Sequence, residues 1–276
     1  MTLDVTPAAD CCEQRAPSNE CGSLLVTRYS SRATRDPLLV TSVSDTVIDV
    51  VGLRKEYGGL RPLRLQHLAI RRGERVVIAG LDAHAAETLV SLVIGASLPD
   101  EGEVIVFGGT TSSIASQPEW LPLLDRFGLV SDRAALLDSF SIAQNIAVPL
   151  TLEIEPLSPD TLDRVGRLAV DAGLDARSLP LRAGDVAPTV RLRVRLARAL
   201  ALDPAVLLLE HPTTTLSAAE IEAFANVVDE VARRRKLTVL AITQDRSFGR
   251  RIGDRRFVFR PATGALDERS GIMRSF

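Results

Sequence analysis

The sequence predicts an α/β domain with a parallel core sheet, and three observations carry that expectation. From Thr46 onward, short apolar runs alternate with longer helical stretches, the order of strands joined by crossover helices. One run, Ala205-Val206-Leu207-Leu208-Leu209, is apolar throughout and ends on Glu210. A strand buried on both faces of a parallel sheet reads this way, and its C-terminal end delivers a carboxylate to a metal or ligand. Helix starts are also explicit: Ser158-Pro159-Asp160 offers a cap with proline in the first turn, and Ser217-Ala218-Ala219-Glu220 is a capping box.

Taken in order, residues 1–45 mix Ser, Thr, Pro, Asp and Arg without helical or strand period, which predicts a flexible tail ahead of a domain spanning 46–276. Order is expected to begin at the β-rich run Thr46-Val47-Ile48-Asp49-Val50-Val51. Strands are expected at Arg75–Ala79, Glu103–Phe107, Arg126–Val130, Ala205–Leu209, Leu237–Ile242 and Arg256–Arg260. The helix after Ser158 should end at Gly173, and the helix after Ser217 should run to the basic cluster Arg233-Arg234-Arg235-Lys236. Basic residues in a last turn complement the helix dipole, a more economical account of that cluster than a nucleic-acid patch. No internal repeat is visible.

Composition narrows the function classes. A chain of 276 residues with 46% hydrophobic and 25% charged residues can bury a sizeable core. The net charge of −2 gives no reason to expect nucleic acid or acidic lipid as a partner. No apolar run approaches the roughly 20 residues that span a bilayer. The start MTLDVTPAADCCEQ lacks the basic and apolar regions of a secretory signal, so a cytoplasmic protein is expected. Cys11, Cys12 and Cys21 all lie in the tail; too few and irregularly spaced for a metal site, they read as free thiols.

The motifs then take a recognisable order. Lys55-Glu56-Tyr57-Gly58, Arg72 to Gly80, Gly128-Leu129-Val130-Ser131-Asp132, Arg193 to Leu200, and Ala205 to Thr213 together resemble the nucleotide-binding subunit of ATP-binding cassette (ABC) transporters over most of residues 46–276. The resemblance implies a P-loop NTPase-type core, a small antiparallel β-subdomain and a helical subdomain.

It also implies a site, position by position. Tyr57 stands where an aromatic ring stacks on adenine, or is an ordinary half-exposed strand-end tyrosine. A working phosphate loop reads G-x-x-x-x-G-K-[ST], with backbone N–H groups and a lysine around the phosphates. Here Gly80 and Thr88 fit the pattern, while Ala85, Ala86 and Glu87 occupy the places of the second glycine, the lysine and the magnesium-binding hydroxyl. With the lysine gone and Asp82 and Glu87 added, each unfavourable charge contact with a polyanion is worth roughly 4 kcal/mol at ~4 Å and an effective dielectric near 20. Asp82 also makes a good ordinary helix start. Ser131 stands for the glutamine that contacts magnesium and water.

The signature sequence that grips the γ-phosphate across a dimer falls at Val186, Ala187, Pro188, Thr189 and Val190. Ala187 has no hydroxyl and Pro188 no N–H, although proline suits a first helical turn. Glu210 replaces an aspartate, His211 the water-polarising glutamate, and Gln244 the histidine that contacts the γ-phosphate. A neutral imidazole can be a base, so His211 alone does not prove inactivity.

The resemblance therefore implies a cassette-like subunit with a degenerate ATP site. ATP is expected to be weakly held and magnesium to have no secure place. The expected partners are a membrane permease and a second nucleotide-binding domain, on the inner face of the cell membrane. A non-nucleotide-binding regulatory or scaffolding role is the alternative. A DNA-associated member is disfavoured, since no coiled-coil insertion interrupts the domain. Ala134–Leu150 keeps the family's pattern, and Leu136, Leu137 and Phe140 are expected either to meet a permease helix or to pack the chain's own core.

Overall fold

A computed structural model describes residues 45–59, 61–114 and 120–269. The expected tail, with Cys11, Cys12 and Cys21, lies outside the described residues apart from Asp45. Ten strands are described: β1 Thr46–Lys55, β2 Leu63–Arg71, β3 Arg75–Ala79, β4 Glu101–Val106, β5 Gly109–Thr110, β6 Phe127–Val130, β7 Val206–Glu210, β8 Thr238–Ile242, β9 Arg255–Arg260 and β10 Ala265–Glu268. The helices are α1 Ala83–Val93, α2 Thr111–Ile114, α3 Trp120–Leu124, α4 Ile142–Ala147, α5 Pro159–Asp171, α6 Pro188–Ala199, α7 Ala218–Arg235 and α8 Arg246–Ile252.

Two sheets organise these elements. An antiparallel sheet has the order β2-β1-β4-β5, and a six-stranded sheet has the order β10-β9-β3-β8-β7-β6. In the larger sheet β9, β3, β8, β7 and β6 are parallel and only the edge strand β10 is antiparallel. The run Glu103–Phe107, expected among the alternating α/β elements, lies in the antiparallel sheet as β4. All five residues of β7 and of β8 are buried, because each strand is covered on both faces. Successive residues point to opposite faces, so Leu207, Leu209, Val239 and Ala241 join one core with the helices α4 to α8. Val206, Leu208, Leu240 and Ile242 join a second core with α1 and the antiparallel sheet.

The strand β2 is not among the elements expected from sequence. Its inward positions are Leu63 and Leu65, then Leu68 and Ile70, so the alternation slips at Gln66-His67. The same slip occurs in β1 opposite, where Gly52 takes φ +58°. A change of phase in mid-strand hides the period-2 signal.

The helix ends follow their caps. Asp82 Oδ1 accepts from the Ala85 N–H at 2.8 Å to open α1, Ser158 caps α5, and Ser217 with Glu220 forms the capping box of α7. The helix α5 stops at Asp171, just before the left-handed Gly173. The basic end of α7 is engaged in ion pairs: Arg233 with Asp229 at 3.1 Å, Arg234 with Asp171 at 2.5 Å, and Arg235 with Asp171 and Asp203 at 2.5 and 3.0 Å.

Candidate functional site

The sheet order brings four strand ends side by side. Neighbours β3, β8, β7 and β6 all run in one direction, with Ile78 opposite Ile242, Glu210 opposite Ile242 and Leu209 opposite Val130. Gly80, Thr243-Gln244, His211 and Ser131, which follow these strands, therefore form one row along the carboxyl edge, where open α/β sheets bind ligands.

Glu210 is only 8% exposed. Its carboxylate faces Arg133, which sits three residues beyond the end of β6. Arg133 Nη2 donates to Glu210 Oε2 at 2.6 Å and Nε donates to Oε1 at 3.2 Å, a two-point contact. The remaining Nη1 donates to Glu87 Oε1 on α1 at 3.1 Å. One guanidinium thus bridges two acids from different elements. The hydrogen bond to Glu210, followed by the charges of Glu210 and Glu87, raises Arg133 above its usual range against the opposing effect of burial. Sequence reasoning does not single out Arg133, since a lone arginine in a loop matches no motif.

A set of arginines holds the Arg133 loop in place. On α6, Arg195 pairs with Asp132 at 2.9 Å, and Arg198 donates to the carbonyls of Ala134 and Ala135 at 2.6 and 2.7 Å. Arg191 pairs with Asp138 at 2.7 Å. Spacings of three and four place these arginines on one helix face. The Ser131 hydroxyl, buried, accepts from the Arg133 N–H at 3.2 Å.

Gly80 takes φ +93°. The Gln244 side chain spans the turn that follows: its Oε1 accepts from Gly80 N–H at 3.2 Å, and its Nε2 donates to the Leu81 carbonyl at 2.8 Å. Ala86 is fully buried, in the second core with Leu89 and Val93, so its methyl group is core packing under α1. The Thr88 hydroxyl donates back to the His84 carbonyl at 2.7 Å. Tyr57 packs partly against the second core. Burial, and then the charge of Asp82, raises its hydroxyl above the usual range.

His211 holds a left-handed φ of +42°, unusual for a residue with a Cβ. Its N–H donates to the Ile242 carbonyl at 2.8 Å, and its buried Nε2 finds no hydrogen-bond partner among the described residues.

The segment Val186 to Val190 lies elsewhere. Among the described residues no hydrogen bond or ion pair joins it to Gly80–Thr88. Ala187 is the N-cap of α6 without a side-chain cap bond, Pro188 opens the helix, and Val186 and Val190 pack partly on the first core. Thr189 Oγ1 donates to Glu220 Oε1 at 2.5 Å, which joins the starts of α6 and α7. Leu136 is buried in the chain's own core, Leu137 is exposed and Phe140 half-buried.

No family model matches the chain. The methionine import ATP-binding protein MetN of Mesorhizobium japonicum is 29% identical over 229 residues, covering 82% of this chain and 61% of the relative. The lipoprotein-releasing system ATP-binding protein LolD of Psychrobacter arcticus is 26% identical over 193 residues, covering 70% of this chain and 84% of the relative. The chain spans 61% and 57% of the length of MetN proteins from Mesorhizobium japonicum and Brucella abortus. Among solved structures, a dimeric bacterial ABC transporter cassette superposes with a TM-score of 0.69 at 23% identity, covering 83% of this chain and 100% of that one. The cbiO1 protein of Clostridium perfringens, part of an ABC transporter complex, gives 0.68 at 20% identity, covering 81% and 87%. No helix among the described residues is long and apolar enough to cross a membrane. In sequence this chain is a homologue of ABC transporter ATP-binding proteins, and in architecture it carries their cassette fold.

Proposed function

We propose that this chain is a cassette subunit that couples to a membrane permease while its own ATP site is degenerate and turns over little or no ATP. The observation that carries the reading is the bridge from Arg133 to Glu210 and Glu87. The residues do not fit a magnesium–nucleotide complex. A metal between these two acids would have to displace a guanidinium already bonded to both. Phosphates approaching α1 would meet the carboxylates of Asp82, Glu87 and Glu210 with one guanidinium among them, and no lysine replaces Ala86. Added to the loss of the lysine, these like charges oppose a polyanion, and the attraction of a helix N-terminus is weak.

Other family contacts are satisfied within the chain as well. Gln244 occupies the Gly80 N–H, Asp82 caps α1, and Thr189 is joined to Glu220. Exposed Leu137 and Leu181, the latter's carbonyl accepting from Ile142 N–H at the start of α4, present apolar surface for a permease helix.

Titration of the full chain with a fluorescent ATP analogue, with and without magnesium, tests the site. No magnesium-dependent binding is expected, and magnesium-dependent hydrolysis above a blank would overturn the reading. A non-nucleotide-binding regulatory or scaffolding role is the second reading, favoured by the same self-satisfied site. Co-purification with membranes separates the two: a permease partner retained by the wild type and lost in Leu137→Asp supports coupling, and a chain that associates with no permease supports the scaffold.

A further inference from the structure

We propose that the amino edge of the larger sheet, opposite the row at Gly80, Gln244 and His211, holds a site for a phosphate-bearing anion, bound by Arg72, Arg126 and Lys236. This inference goes beyond the functional reading above and does not depend on it.

Strand register places the three cations along one edge. Phe127 stands opposite Val206, Val206 opposite Thr238, and Arg75 opposite Val239, so β6, β7, β8 and β3 start along one line. Arg126 immediately precedes β6, Lys236 lies two residues before β8, and Arg72 three residues before β3. Arg72 and Lys236 line one cleft of about 540 Å3 together with Arg75, Arg233 and Asp254, a volume within the range of small-ligand sites.

The acids of this edge are engaged elsewhere. Asp254 pairs with Arg75, Asp229 with Arg75, Arg233 and Arg251, and Asp203 with Arg235 and Arg164. What remains for Arg72 is Asp45 at 4.0 Å, with the two side chains 62% and 68% exposed. Among the described residues, the Arg126 and Lys236 side chains make no hydrogen bond or ion pair, although Asp125 adjoins Arg126 in sequence.

Arg126 is nevertheless held in place. Its guanidinium carbon lies 3.5 Å from the centroid of the Phe107 ring, and the Phe127 ring stands 5.2 Å from that of Phe107. Phe107 itself takes a left-handed φ of +51°, a costly conformation for an aromatic residue. Stacking fixes the guanidinium while its N–H groups are left without an acceptor. Burial, and then the charge of Arg72, lowers Arg126 below its usual range. A positioned, partly desolvated cation repelled by a second cation gains from an anion that meets both. Arginine's planar fork suits phosphate oxygens, and Lys236 adds a point charge.

Isothermal titration calorimetry of the full chain with inorganic pyrophosphate, in metal-free buffer at low salt, tests the site. Wild type should bind about one pyrophosphate per chain. Arg72→Gln, Arg126→Met and Lys236→Asn should each weaken that binding about tenfold, the effect of losing one hydrogen bond to a charged group. Asparagine tolerates the left-handed backbone of residue 236. Arg167→Gln, which removes an exposed arginine of α5, should leave binding unchanged. A second arm offers vesicles of phosphatidylcholine with phosphatidic acid. Pyrophosphate binding without vesicle binding supports a soluble phosphate compound as ligand, and vesicle capture lost in the three variants supports a lipid headgroup. Wild type that binds neither overturns the inference, as does binding that the three variants leave intact or that Arg167→Gln weakens equally. Should Arg126→Met fail to fold, Arg72→Gln and Lys236→Asn, both at exposed positions, decide the outcome. Failure leaves the reading of the ATP site standing, because the titration contains neither nucleotide nor magnesium and probes the opposite end of the strands.

Discussion

The hydroxyl of Thr189, in the first turn of α6, donates to the carboxylate of Glu220, in the first turn of α7, at 2.5 Å. The same carboxylate accepts from the Ser217 N–H at 2.8 Å and the Ser217 hydroxyl at 2.7 Å. These bonds, with Thr189 foremost, lower Glu220 from 4.5 to about 2. The native state therefore favours the ionised carboxylate, and its contribution is fully present above the unfolded value of 4.5 and lost as the pH falls towards about 2. Glu220→Gln should flatten the pH dependence of the urea midpoint in that window and leave its slope near neutrality unchanged. An unaltered acid limb in the variant would remove Glu220 from the account.

Asp229 on α7 is 2% exposed and pairs with three arginines: Arg75 at 2.6 Å, Arg233 at 3.1 Å and Arg251 at 3.2 Å. Arg75 is itself largely buried and also pairs with Asp254. Asp229→Ala strands a buried guanidinium nitrogen, and removing one partner of a buried pair costs about 3–5 kcal/mol. Chemical denaturation should show a loss of that order, and a change under about 1 kcal/mol would mean that Asp254 alone suffices for Arg75.

Gly80 combines φ +93° with a close neighbour, since a Cβ there would stand 2.9 Å from the Phe259 carbonyl oxygen. Gly80→Ala should cost about 1–3 kcal/mol through backbone strain and displacement of β9. The measurement is the denaturation midpoint, with hydrogen exchange along Arg255–Arg260 reporting whether β9 is the strand that loosens.

Restoring motif residues should not restore a site. Ala86→Lys combined with Glu87→Ser introduces a cation at a fully buried position and removes one arm of the Arg133 bridge. Burial of an unpaired ammonium costs several kcal/mol, so a lower melting temperature without ATP turnover is expected. A variant of wild-type stability that hydrolyses ATP would show that α1 can turn its side chain out to the loop.

The amino-acid sequence by itself determined the α/β class, the buried run ending at Glu210, and the helix starts at Asp82, Ser158 and Ser217, because these rest on local periodicity and on caps within a few residues of one another. The order of motifs along the chain likewise pointed to the cassette resemblance. The strand β2 escaped, since its inward face changes phase at Gln66-His67. The placement of Ala86 in the core, of Gln244 across Gly80 and Leu81, and of Arg133 between Glu87 and Glu210 was decided only by tertiary structure. Each depends on strand order: β6 beside β7 brings residue 133 to residue 210, and β8 beside β3 brings residue 244 to residue 80. A contact across 77 residues of chain leaves no periodic trace in sequence, because only the registered sheet sets which loop a given side chain meets.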